Sequence, residues 1–289
     1  MAEWLRLGSR PIPLLLLLCW TLMGTGAAAE KVSGILTVRD ALTLPNRSVR
    51  IEAHLAGKNS AAGALWSGVA LQLQIDGKPV ATAKTTEGGR ASFEYLPKMR
   101  GMYVITVSVD DTAPVSAEKA QATLCVWERR RPILLVEMDA LMQPGSPASA
   151  PPVSSAAGTK GLSAQPAPDA ANELSLLTRY YYNVVYVSGG DHSKSEPASI
   201  GDERRWLALH EFPTGLVVMP PPGGLSATIE TFTEDGWTTL KTGIGRTRLF
   251  AEILLQHRME VVVIPELPKG ELPRKAKAAK AWNEVRKKL

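Results

Sequence analysis

Near residue 130 the chain changes its hydrophobic rhythm, and the change confines it to a fold with two unlike halves. From Val32 to Trp127 short runs alternate apolar and polar residues. Val49, Ile51, Ala53 and Leu55 interleave with Arg50, Glu52 and His54, and Leu71, Leu73 and Ile75 with Gln72 and Gln74; residues 104–109 and 120–126 behave alike. Period-two alternation turns one strand face to a core and the other to water. Asp76-Gly77 ahead of Val80 and Gly88-Gly89 ahead of Ala91-Ser92-Phe93 are hairpin signals, so residues 30–128 are expected to form an antiparallel β-sandwich.

After Arg129-Arg130-Arg131 four apolar runs, at 133–136, 184–187, 216–219 and 261–264, alternate with helix-period stretches at 174–182, 203–210 and 249–257. Runs this uniformly apolar suit parallel strands covered on both faces, which predicts a three-layer α/β domain. It is built from residues 129–142 and 172–289. Between them, residues 143–171 are rich in Pro, Ala, Ser and Gly without an apolar period and are expected to be disordered. The fold class is therefore an α+β two-domain chain.

Arg6 and Arg10 precede an apolar run over 14–23, followed by Ala27, Ala28 and Ala29, the pattern of a signal peptide over residues 1–29. The run falls short of the roughly 20 residues that a membrane span needs, so cleavage is expected, with an uncleaved anchor as the alternative. The expected location is secreted or periplasmic. Cleavage would remove Cys19 and leave Cys125, so the two-domain remainder of about 260 residues is held by its cores, not by an internal disulfide. The formal charge of +5 gathers at the end, where residues 269–289 carry eight Lys or Arg against two Glu. A nucleic-acid-binding surface is not indicated.

The stretch from Gly77 through Lys78-Pro79-Val80 to Ser92-Phe93 is similar to bacterial immunoglobulin-like repeats of adhesins and exported enzymes, without the Cys-Trp-Cys core of antibody domains. In the second half, Ile133-Leu134-Leu135-Val136 followed by Glu137-Met138-Asp139-Ala140-Leu141 resembles the opening strand and Asp-x-Asp-x-Thr motif of haloacid dehalogenase (HAD) phosphatases. Arg205-Trp206-Leu207, then His210-Glu211-Phe212-Pro213-Thr214-Gly215, is similar to the helix-to-strand passage of the phosphatidate-phosphatase-like branch. The resemblance implies a Rossmannoid, HAD-like parallel sheet. It places Glu137 at the nucleophile, Asp139 at the general acid and base, Ser188 at the second-strand hydroxyl and Lys241 at the phosphoryl-neutralising lysine. Leu141 replaces the motif's Thr, and after the run at 261–264 the acidic pair that would complete a magnesium site is missing unless Glu266 substitutes. Glu in place of Asp moves the carboxylate by about 1 Å, a displacement that can cost on the order of a hundredfold in rate. The expectation is a pseudoenzyme: an exported, non-catalytic binding or scaffold protein with no cofactor, its partner in the envelope or outside the cell. The alternative is a Mg2+-dependent phosphatase acting on a lipid or other phosphoester.

Other polar residues carry blander readings. Asp191-His192 reads as a solvated turn, His210 as a helix C-terminus, and Gly223-Gly224 as a rigid turn; His54, His192, His210 and His257 have no metal-ligand spacing. Asn46-Arg47-Ser48 meets the glycosylation sequon. Residues 273–289 place Ala278, Ala281, Trp282, Val285 and Leu289 on one helical face and lysines on the other. Such a helix packs Trp282 on the sheet or, alternatively, lies on an anionic membrane.

Overall fold

The computed structural model describes residues 31–57, 66–143, 164–188, 198–221 and 224–289; the expected signal peptide and Asp191-His192 lie outside them. The first half is a two-sheet sandwich. One sheet holds β1 (Val32–Val38), β3 (Val49–Gly57), β6 (Arg90–Tyr95) and β8 (Val115–Ala117), in the order β6-β3-β1-β8. The other holds β2 (Ala41–Thr43), β4 (Ala70–Ile75), β5 (Lys78–Lys84), β7 (Gly101–Val109) and β9 (Ala120–Val126), in the order β2-β9-β7-β4-β5. Pairing is antiparallel apart from β1 with β8 and β2 with β9, because the chain changes sheets at Arg39-Asp40. The inward residues of the alternating runs, among them Ile51, Leu55, Leu71, Leu73, Ile105 and Leu124, are buried in one core. Asp76 and Gly77 both adopt positive φ in the β4–β5 turn, the geometry a two-residue hairpin demands.

The second half is a parallel sheet of β10 (Ile133–Glu137), β11 (Asn183–Val187), β12 (Leu216–Val218), β13 (Leu240–Gly245), β14 (Glu260–Val263) and β15 (Lys277–Ala278), ordered β12-β11-β10-β13-β14-β15. Helices α1 (Ala170–Tyr180), α2 (Ala198–Leu209) and α5 (Trp282–Lys288) pack on one face, against Leu134, Val136 and Tyr186. Helices α3 (Gly224–Glu234) and α4 (Arg248–Gln256) cover the other, against Ile133, Leu135 and Val187. The expected three layers are present.

Three expectations need correction. The strand following the third is β13, so the run at 261–264 belongs to the fifth strand, β14; glycines at 243 and 245 break the apolar run that would have marked β13. The insertion drawn at 143–171 is ordered at its C-terminal end: Met142 pairs with Pro166, Ala164 is buried and accepts a hydrogen bond from the Trp206 indole, and α1 begins at Ala170. Residues 144–163 lie outside the described residues. The terminal helix starts at Trp282 rather than 273, after the short strand β15. Trp282 is 2% exposed and donates its indole N–H to the Ala140 carbonyl, so the apolar face is spent on the sheet while the lysines face water. Among the described residues no helix is long and apolar enough to cross a membrane.

The halves share buried contacts. Cys125 and Trp127 from the sandwich pack into the core of the parallel sheet, Trp127 edge-on to Trp237 with ring centres 6.5 Å apart. At the sheet-switching corner, buried Asp40 accepts the Thr123 N–H of β9 at 2.6 Å and the Val217 N–H of β12 at 2.8 Å, and it pairs with Arg204 of α2. Arg204 also donates to the Gln121 carbonyl at 2.6 Å. Burial pushes the Asp40 carboxyl up; the Arg204 guanidinium pulls it down.

Candidate functional site at the carboxyl ends of the parallel strands

Strand order reverses between β10 and β13, since β11 lies to one side of β10 and β13 to the other. Open α/β sheets place ligands in the crevice at such a reversal, outside the carboxyl ends of the strands. Glu137 ends β10 there and is 6% exposed. One of its carboxylate oxygens accepts the Arg246 N–H at 2.6 Å and the Thr247 N–H at 2.9 Å; the other accepts the Thr247 hydroxyl at 2.6 Å. Thr247 in turn caps α4, its Oγ1 accepting the Phe250 N–H at 3.2 Å. Glu137 therefore closes the crevice by tying β10 to the β13–α4 turn. Gly245 makes room for this: a Cβ there would stand 2.2 Å from a Phe250 ring carbon and 2.9 Å from the Glu137 carboxylate.

Desolvation raises the Glu137 carboxyl above its ordinary value, against the pull of hydrogen bonds from Thr247 and Arg246, and the Asp139 charge adds a smaller upward push. Burial lowers Arg246, while Asp139 and Glu137 hold it up; its guanidinium donates to the Met142 carbonyl. A cation from the protein's own chain thus lies beside the two carboxylates.

Three of the four residues the resemblance singled out share this end of the sheet. Asp139 is half-buried in the 3-10 turn Met138–Leu141. Ser188 follows β11, whose Val187 pairs with Glu137; it is buried and donates its hydroxyl to Glu203 of α2. Lys241 is elsewhere. It is exposed near the start of β13, between the positions paired with Ile133 and Leu134, roughly 10 Å of strand from Glu137 at about 3.3 Å per residue. The loop beyond the true fourth strand is Arg246-Thr247, and Glu266 is exposed beyond β14, with β13 between it and β10. Among the described residues no three His, Cys, Asp or Glu side chains converge as a metal site. With Glu137 bound by three donors, the residues present do not fit the octahedral magnesium shell that HAD chemistry uses.

The Trp206 region explains the branch-like motif in packing terms. Trp206 stacks on Phe212 with ring centres 5.3 Å apart and contacts His210 at 4.8 Å, and the Tyr186 hydroxyl donates to the Pro213 carbonyl at 2.6 Å. The pairing of Glu137 with Arg246 and Thr247 was not anticipated. Thr247 just ahead of an apolar-periodic helix was its one sequence signal, as a helix N-cap.

These features define a class: a two-sheet β-sandwich joined to a parallel three-layer α/β domain. No protein-family model and no curated protein sequence matches the chain. Its sandwich is similar to fibronectin(III)-like modules of Clostridium thermocellum CbhA, at 13% identity and TM-score 0.23 over 32% of this chain and 94% of that one. A CARDB domain of Pyrococcus furiosus gives 19% and 0.25 over 33% and 86%, and the PKD domain of human KIAA0319 gives 14% and 0.24 over 36% and 88%. The description of the sandwich rests on its own sheets.

Proposed function

We propose that this is an exported, non-catalytic binding or scaffold protein whose second domain is a degenerate HAD-like phosphatase domain. A single observation carries the proposal: the side chain at the nucleophile position is bound by two backbone N–H groups and a hydroxyl. An attacking carboxylate needs a free oxygen aimed at phosphorus. Freeing Glu137 would orphan the Arg246 and Thr247 N–H groups of the turn ahead of α4, at a cost of about 1–3 kcal/mol per buried group. Arg246 beside Glu137 and Asp139 supports the same conclusion, because its charge offsets theirs where a divalent ion would otherwise be drawn. The sequence signal over residues 1–29 supports export.

The test uses the purified mature chain with 4-nitrophenyl phosphate and with phosphatidate, each with and without magnesium. The expected result is no turnover above that of Glu137→Gln under either condition. Magnesium-dependent turnover that Glu137→Gln abolishes would replace the proposal with the phosphatase alternative.

A further inference from the structure

At the opposite end of the parallel sheet, where β10 and β11 begin, the junction with the sandwich forms a trough. Two adjoining hollows of about 380 and 400 Å³ share Met102, Trp127, Arg131 and Asn183 as lining, with Arg100 at one end and Arg179 at the other. Met102, 47% exposed, supplies most of the accessible apolar floor, and the largely buried Trp127 adds only its edge. The walls are cationic. Glu128, the acidic lining residue, is already paired with Arg100 at 3.6 Å and Arg130 at 2.9 Å, so Arg131 and Arg179 keep their charge for something else. Arg131 is held in place by donating to the Thr178 carbonyl, and among the described residues neither the Arg179 nor the Asn183 side chain has a hydrogen-bond or ion-pair partner.

We infer that this trough receives an extended acidic segment of a partner polypeptide, with an apolar side chain on Met102 and Trp127 and carboxylates at Arg131 and Arg179. Three features select that occupant. The two hollows share four lining residues and both stand partly open to solvent, whereas a small-molecule site encloses most of its ligand. Met, Trp and Arg are the side chains enriched at protein-binding surfaces. Guanidinium forks match carboxylates in a bidentate way, and Asn183 offers both a donor and an acceptor to a passing peptide bond. The inference extends the binding reading but uses the end of the sheet remote from Glu137, so its failure leaves the non-catalytic proposal standing, and phosphatase turnover leaves the trough standing.

The experiment measures fluorescence anisotropy of a short fluorescein-labelled peptide rich in Glu and Asp with one central Phe, titrated with the mature chain at low salt. Binding is expected, weakening as salt is added. Arg179→Glu, a change at an exposed residue, should weaken it by about tenfold or more, because like charges are then opposed. Met102→Asp should also weaken it. Lys84→Glu, the same charge change on the distant edge strand β5, should leave it unchanged. The inference is overturned by absent binding, by equal loss in Lys84→Glu, or by tighter binding of a single-stranded oligonucleotide than of the peptide.

Discussion

Glu137 holds a charge in a place that resists charge. Its folded pKa is raised by burial, so over the interval just above its ordinary value of 4.5 the folded chain keeps a proton that the unfolded chain has lost. The stability due to this group is full below that ordinary value and is lost as pH rises through the folded one. Glu137→Gln keeps an acceptor for Arg246 and Thr247 without the titration. The stability of wild type relative to Glu137→Gln, from urea denaturation, should therefore fall as pH is raised from about 4 to about 7. Glu137→Ala has no such compensation: it orphans three donors and opens a hole, and should cost about 2–4 kcal/mol at every pH.

At the scale of elements, the β13–α4 unit depends on glycine. Gly245→Ala drives a methyl group into Phe250 and the Glu137 carboxylate. The expected loss is roughly 1–3 kcal/mol in chemical denaturation, with α4 and the crevice the first parts to lose hydrogen-exchange protection. The same glycines explain what could be read beforehand. The sandwich strands were legible because alternation is a local signal, and β10, β11 and β14 because strands buried on both faces are apolar throughout. β13 was hidden because the closeness of Phe250 and Leu254 forces Gly243 and Gly245 into it, which erases the apolar run. α3 was hidden behind its alternating threonines, although Leu225, Ile229 and Phe232 form its buried stripe. At the site, Glu137, Asp139 and Ser188 could be found from short motifs. Their environment could not, since the groups that bind Glu137 lie 109 and 110 residues away. Lys241 stands shortly before the 249–257 helix in sequence, but the intervening residues form β13 and hold it at that strand's far end, away from Glu137.

The two halves are joined by the buried polar contacts of Asp40, by Cys125 and Trp127 packed into the core of the parallel sheet, and by the Trp127–Trp237 ring contact. Among the described residues Arg204 is the cation paired with Asp40, and Arg204→Met would leave that carboxylate buried without its counter-charge. Breaking a buried pair from one side costs about 3–5 kcal/mol. Calorimetry of wild type should show one transition, and Arg204→Met should separate the sandwich and the parallel sheet into two. β12 is also the outermost strand of its sheet, and the hydrogen-bonding side turned away from β11 is met by the Asp40 carboxylate at Val217. A bare strand flank is a template for a neighbouring molecule's backbone. Asp40 occupies the outward N–H at the middle of this three-residue strand, and molecules whose halves have parted, with that group bared, are expected to be the ones that polymerise.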